Sequence, residues 1–141
     1  MRKTFFIFVS IFIFSSTKSQ TPTRQVVLKT LDGKWELIYK NEQLFPDTAL
    51  LFQKRIYEIN GKKGKEIGYW KNGETTRASI KWDFISSNNK ADIVIMFTGG
   101  IWVDGQDFII KNVSNNKITM LSCDKYDECD EVYFIKQPDT K

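Results

Sequence analysis

Thr75-Thr76-Arg77-Ala78-Ser79-Ile80-Lys81-Trp82-Asp83-Phe84-Ile85-Ser86 is the stretch that decides the fold. Ala78, Ile80, Trp82 and Phe84 fall on one face if the chain is extended, and Ser79, Lys81 and Asp83 fall on the other. A period of two sustained this long predicts a strand with one buried face.

Working outward, the same grammar repeats. Gly33 to Asn41 alternates Trp35, Leu37 and Tyr39 with Lys34, Glu36 and Lys40. Leu51 to Asn60 reads as a second strand, followed by an Asn60-Gly61-Lys62-Lys63-Gly64 turn. Lys65 to Lys71 is a third, and Asn72-Gly73 marks the hairpin into the opening stretch, because both residues tolerate positive φ. Ala91 to Thr98, Asp107 to Val113, Lys117 to Cys123 and Glu131 to Gln137 complete eight strands. Ile101 to Val103 is ambiguous, and Asp104-Gly105 reads as a turn. Helix candidates are few: Val26 to Leu31, as a 3₁₀ turn, and Thr48 to Arg55, where Ile56, Tyr57 and Ile59 pull the reading toward strand. The expected class is all-β, an eight-stranded antiparallel up-and-down barrel in preference to a sandwich. A closed barrel leaves no exposed edge, and no long crossover is needed.

Composition narrows the chemistry. The 141 residues hold 41% apolar and 27% charged residues, which suits one globular domain and excludes wholesale disorder. There is no histidine, so a Ser-His-Asp triad, His-ligated zinc or haem and imidazole acid–base catalysis are excluded. Neither a glycine-rich phosphate loop nor a metal-ligand cluster is visible, and the chain is not expected to be an enzyme or to need a cofactor.

The N-terminus reads as an export signal. Arg2 and Lys3 precede an apolar run from Phe5 to Phe14, then Ser15-Ser16-Thr17-Lys18-Ser19, the order of a cleavable signal peptide. The run is too short to span a bilayer. The expected organisation is 1–19 signal peptide, 20–27 flexible lead-in and 28–141 barrel domain, with a periplasmic or secreted mature protein. Removing Arg2, Lys3 and Lys18 turns 21 basic against 17 acidic residues into 18 against 17, a balance of +1.

The segment Leu28-Lys29-Thr30-Leu31-Asp32-Gly33-Lys34-Trp35-Glu36-Leu37 resembles the opening of lipocalin-like domains, which carry Gly-x-Trp on the first strand after a short helical turn. The resemblance runs over about Leu28 to Gln137 and is to exported bacterial lipocalin-like (calycin-like) domains. It implies that Gly33 and Trp35 carry the family motif, with Trp35 plugging one end of the barrel. Lys136, where those domains have Arg, stands where a cation would stack on Trp35. The resemblance also implies binding of a small hydrophobic or amphipathic molecule.

Tyr39, Tyr57, Tyr69, Trp70, Trp82, Phe84 and Phe97 are the candidate ligand-lining residues; the same rings would equally serve as a filled core. A filled barrel would act instead through its rim loops, as a protein-interaction or inhibitor module. Arg55 joins the candidates: outward it is ordinary surface, whereas inward beside Tyr57 it would suit a carboxylate-headed lipid. Cys123 and Cys129, bracketing five residues in an exported chain, are expected to form a disulfide. Asp124, Asp127, Glu128, Asp130 and Glu131 make an acidic loop without EF-hand spacing, so no metal site is expected there. Lys62, Lys63 and Lys65 are too few to suggest nucleic acid. Asn112-Val113-Ser114 is a glycosylation sequon by pattern. No membrane-spanning segment is expected, and the sequence does not set the oligomeric state.

Overall fold

The alternating segments become strands wherever the computed structural model describes them, over residues 22–40, 52–123, 126 and 128–139. The signal-peptide reading, the stretch after Pro46 up to Leu51, and Asp124 and Asp127 lie outside the described residues. Helix α1 (Arg24–Thr30) is followed by β1 (Gly33–Tyr39), β2 (Phe52–Asn60), β3 (Lys63–Trp70), β4 (Thr75–Ile85), β5 (Ile93–Gly99), β6 (Trp102–Val113), β7 (Lys117–Cys123) and β8 (Cys129–Lys136). Each strand pairs antiparallel with the next, and β8 pairs with β1, so the sheet closes into an eight-stranded barrel.

One end is stoppered. Thr23 caps α1 by accepting the Val26 N–H, and Val27 and Leu31 are buried. Leu31 then accepts a 2.8 Å hydrogen bond from the Trp35 indole. Trp35 is fully buried, and Lys136 Nζ stands 4.5 Å from its ring centre while donating to the Asp32 carbonyl at 2.7 Å. Gly33 has φ +124, a conformation that side-chain-bearing residues rarely adopt. At the same end, the Trp82 indole donates to the Gly61 carbonyl, and Arg24 lies 5.1 Å from the Phe84 ring centre.

Several expected boundaries move for physical reasons. Helix α1 is a true α-helix starting inside the expected flexible lead-in, because burying Val27 and Leu31 against the barrel holds it. The turn after β2 shrinks to Gly61-Lys62, with Asn60 opposite Lys63. Asp104-Gly105 is not a turn. Phe97 pairs with Gln106 and Gly99 with Trp102, so residues 103–105 bulge from a continuous β6, with Gly105 at φ 88. The reversal belongs to Gly100-Ile101.

Cys123 and Cys129 are disulfide-bonded as directly opposed β7–β8 partners, with Cα atoms 4.0 Å apart. The bridge closes a short loop onto strands that already pair. Replacing both cysteines by serine is expected to cost about 2 kcal/mol in urea unfolding and leave the far-ultraviolet circular dichroism unchanged. Loss of the β-sheet signal would show instead that the bridge is required for closure.

Candidate functional site

The interior divides into a filled part and a polar part. Trp35, Tyr57, Phe97, Phe108 and Phe134 are each fully buried, and their rings pack at centroid distances such as 5.4 Å for Tyr57–Phe134 and 5.8 Å for Phe97–Phe134. These rings occupy the middle and merge with the apolar residues at the α1 end.

At the opposite end the inward positions turn polar. Arg55 is 4% exposed and Glu66 is 4% exposed, the two buried charged residues among those described. Strand geometry puts them there. Trp35 pairs with Tyr57, which places Arg55 inward along β2, and Tyr57 in turn pairs with Glu66 on β3. A register shift between Phe52 and Lys54 lets Phe52 share the Arg55 side. The guanidinium centre lies 5.0 Å from the Tyr39 ring centre and 5.2 Å from that of Phe52. It also hydrogen-bonds the Tyr39 hydroxyl, as does Trp102. Arg55 Nη1 is buried and has no hydrogen-bond partner among the described residues.

Glu66 is held from two sides. Tyr57 Oη donates to its Oε2 at 2.5 Å, and the Ile101 backbone N–H donates to Oε1 at 3.2 Å. Gly100 makes this possible, because a Cβ there would lie 2.6 Å from Glu66 Oε1 and φ is +61. The Gly100-Ile101 turn therefore rests on the carboxylate. Trp102 continues from that turn and stacks on Tyr57, with centroids 5.0 Å apart. Burial raises the Glu66 carboxyl above its ordinary 4.5, while the Tyr57 hydrogen bond, the Arg55 charge and the Ile101 N–H pull it down. Burial, reinforced by the Glu66 charge, raises the Tyr57 phenol well above its ordinary value; burial also raises Tyr39, against the pull of Arg55.

Further round the wall, Ser122 and Asp130 pair on β7 and β8, and Gln106 Nε2 donates to Ser122 Oγ at 2.9 Å. Asp130 Oδ2 is the other buried atom without a hydrogen-bond partner among the described residues. It shares the inward face of Val132 and Phe134, both fully buried.

The sequence candidates thus separate. Arg55, Tyr39 and Tyr57 come together. Trp70 sits at the rim of the same end, its ring 4.1 Å from Phe52 and its indole donating to Thr76. Phe97 lies in the filled middle. Trp82 and Phe84 point inward but at the α1 end, away from Arg55. Tyr69 is corrected outright: it alternates with inward Gly68 and Trp70, is 37% exposed, and lines a groove of about 540 Å³ on the outer wall beside Lys54, Ile56 and Pro138. A larger outer groove, about 710 Å³, lies between Lys34, Glu58, Lys63 and Lys65. Both are shelves between solvent-facing side chains and touch none of the inward polar groups.

The sequence reading missed Glu66 and Trp102. Glu66 carried no signal of its facing: a two-residue Asn72-Gly73 turn would set Ile67 opposite Ala78, whereas the observed loop spans Lys71-Asn72-Gly73, shifts the register by one and sets Glu66 there. Trp102 was hidden by treating Asp104-Gly105 as a turn. No family model matches the chain, and neither does a curated protein or a solved structure.

Glu66 gives a stability signature. Its carboxyl is raised in the folded state, so folded protein holds a proton that the unfolded chain has released. That contribution is fully present below the ordinary value of 4.5 and is lost as pH rises through the raised one. Glu66→Gln, which keeps the shape without the charge, should therefore gain stability relative to wild type as pH rises through that window. Urea unfolding of both proteins across the range checks it; parallel curves would place Glu66 in contact with solvent.

Proposed function

We propose that the mature chain is an exported, lipocalin-like barrel that binds one small hydrophobic or amphipathic molecule at the end opposite α1. The observation that carries this reading is the buried Arg55, with Nη1 unpartnered among the described residues, set between the Tyr39 and Phe52 rings. Leaving one donor of a buried charged group unpaired is costly, and such an atom marks a place that a ligand can complete. Closure into eight strands supports it too, because a ring of that size holds either packed side chains or one small ligand. The lipocalin-like part of the reading is supported by Gly33 and Trp35 beside α1, with Lys136 over the indole. Export is supported by the order of charge and apolar residues over 1–19, and a disulfide agrees with an oxidising compartment.

Catalysis forms no part of the reading. The polar end presents one guanidinium, carboxylates and phenols, and the phenols of Tyr39 and Tyr57 are held in their neutral form by burial. Such a set orients a head group while the part-buried rings of Tyr39, Phe52 and Trp70 at this end receive an apolar body.

N-phenyl-1-naphthylamine, a neutral dye that brightens in apolar surroundings, tests the reading. Binding is expected for the wild type and for Val103→Ser, a change at a 75% exposed position. Ala78→Phe places a ring opposite Glu66 and is expected to weaken binding about tenfold or more, equivalent to about 1.4 kcal/mol. Absence of binding in the wild type, or unchanged binding in Ala78→Phe with the barrel folded, would overturn it.

A further inference from the structure

We propose that the polar end of the barrel binds the oxyanion head of its ligand on Arg55, and that this binding takes up a proton at Glu66. The proposal rests on the binding reading above and specifies its ligand class: an apolar body bearing a carboxylate, sulfonate or phosphate-type oxyanion.

Three observations carry it. First, Arg55 is almost completely buried and Nη1 has no hydrogen-bond partner among the described residues. A guanidinium offers its donors as a planar fork, and an oxyanion is the group that matches it. Second, the neighbouring carboxylate does not fill that role. Arg55 and Glu66 act on one another electrostatically, yet the ion pairs within 4.0 Å among the described residues are Lys40–Glu131, Lys54–Glu36 and Lys62–Asp83. Glu66 is turned instead toward the Tyr57 hydroxyl and the Ile101 N–H. Third, that carboxylate is itself buried, so an arriving anion and an ionised Glu66 would be two like charges in one desolvated site.

The phenols among the remaining neighbours keep their protons in the neutral range. Strand β1 contributes Tyr39, and β2 contributes Tyr57 and Arg55; both phenols are raised by burial. Strand β4 places Ala78 opposite Glu66, and the β5–β6 turn presents only Gly100 and the Ile101 N–H, followed by Trp102. Asp130, beyond β1 on β8, is not among the groups acting on Glu66. Glu66 is therefore the group that answers the incoming charge. Protonating it keeps the site at one positive and one negative charge with the anion bound, and leaves the carboxyl able to accept from the Tyr57 hydroxyl.

The sign follows. Anion binding favours the protonated carboxyl, so affinity is highest below the free-protein value of Glu66 and declines as pH rises above it. One linked proton limits the slope to about tenfold in affinity per pH unit.

The test pairs 8-anilinonaphthalene-1-sulfonate, whose sulfonate stays ionised throughout, with N-phenyl-1-naphthylamine, the same rings without the anion. Both are titrated from about pH 5 to about pH 8. Wild-type affinity for the sulfonate dye should fall with rising pH while the neutral dye stays level. Calorimetry in two buffers of different ionisation heat should show proton uptake, up to one per sulfonate dye bound. Glu66→Gln should bind the sulfonate dye independently of pH, and Arg55→Met should weaken the sulfonate dye about tenfold or more beyond any change in the neutral one. A level wild-type sulfonate curve, no proton uptake, or equal trends for the two dyes overturns the proposal while leaving the binding reading intact. Failure of both dyes to bind overturns the binding reading itself. Should Glu66→Gln fail to fold, the wild-type calorimetry still decides.

Discussion

An eight-stranded ring encloses a fixed and narrow interior, and every inward side chain competes for the same volume. The closing ladder between β1 and β8 imposes this limit, and it pins Trp35 opposite Lys136 and Tyr39 opposite Val132. Once Trp35 is buried beneath α1, the large rings of Tyr57, Phe97, Phe108 and Phe134 use up the middle. What is left at the far end is shaped by smaller residues: Gly68 leaves room for the Phe52 ring beside Arg55, and the Gly100 turn leaves room for the Glu66 carboxylate, which lies opposite the small Ala78.

That end is expensive to maintain. Burying a guanidinium and a carboxylate without a close ion pair forfeits hydration that apolar packing would not have sacrificed. The Tyr57 and Ile101 donors to Glu66, and the Tyr39 hydroxyl and ring against Arg55, recover part of it. A barrel selected only for stability would carry two more apolar residues there. Local departures from good packing rules tend to mark functional sites, and this one faces into an enclosed end instead of toward bulk water.

Most of the barrel was legible because alternation and turn chemistry are local signals. Ala78-Ser79-Ile80-Lys81-Trp82 needs no partner to be read as a strand, and Asn72-Gly73 announces its own hairpin. The failures were of a different kind. Asp104-Gly105 uses turn residues inside a strand, since a bulge requires the same positive φ at Gly105 as a reversal does. The facing of Arg55 depended on the pairing of Trp35 with Tyr57, a contact between strands that no single segment encodes. Tyr69 and Trp70 were both proposed as lining residues, although neighbours on a regular strand face opposite sides. Glu66 was passed over because a lone glutamate between lysine and isoleucine looks like surface until its register with Tyr57 is known.

The placement of Arg55 inside the wall, with a donor available to an anion, can be tested directly by solving the crystal structure after a bromide soak and locating the halide by its anomalous signal. A bromide in contact with Arg55 Nη1, enclosed by Tyr39, Phe52 and Trp102, is the expected result. An Arg55 side chain turned to the outer surface, or bromide confined to the exposed lysines with the Arg55 surroundings unoccupied, would contradict it.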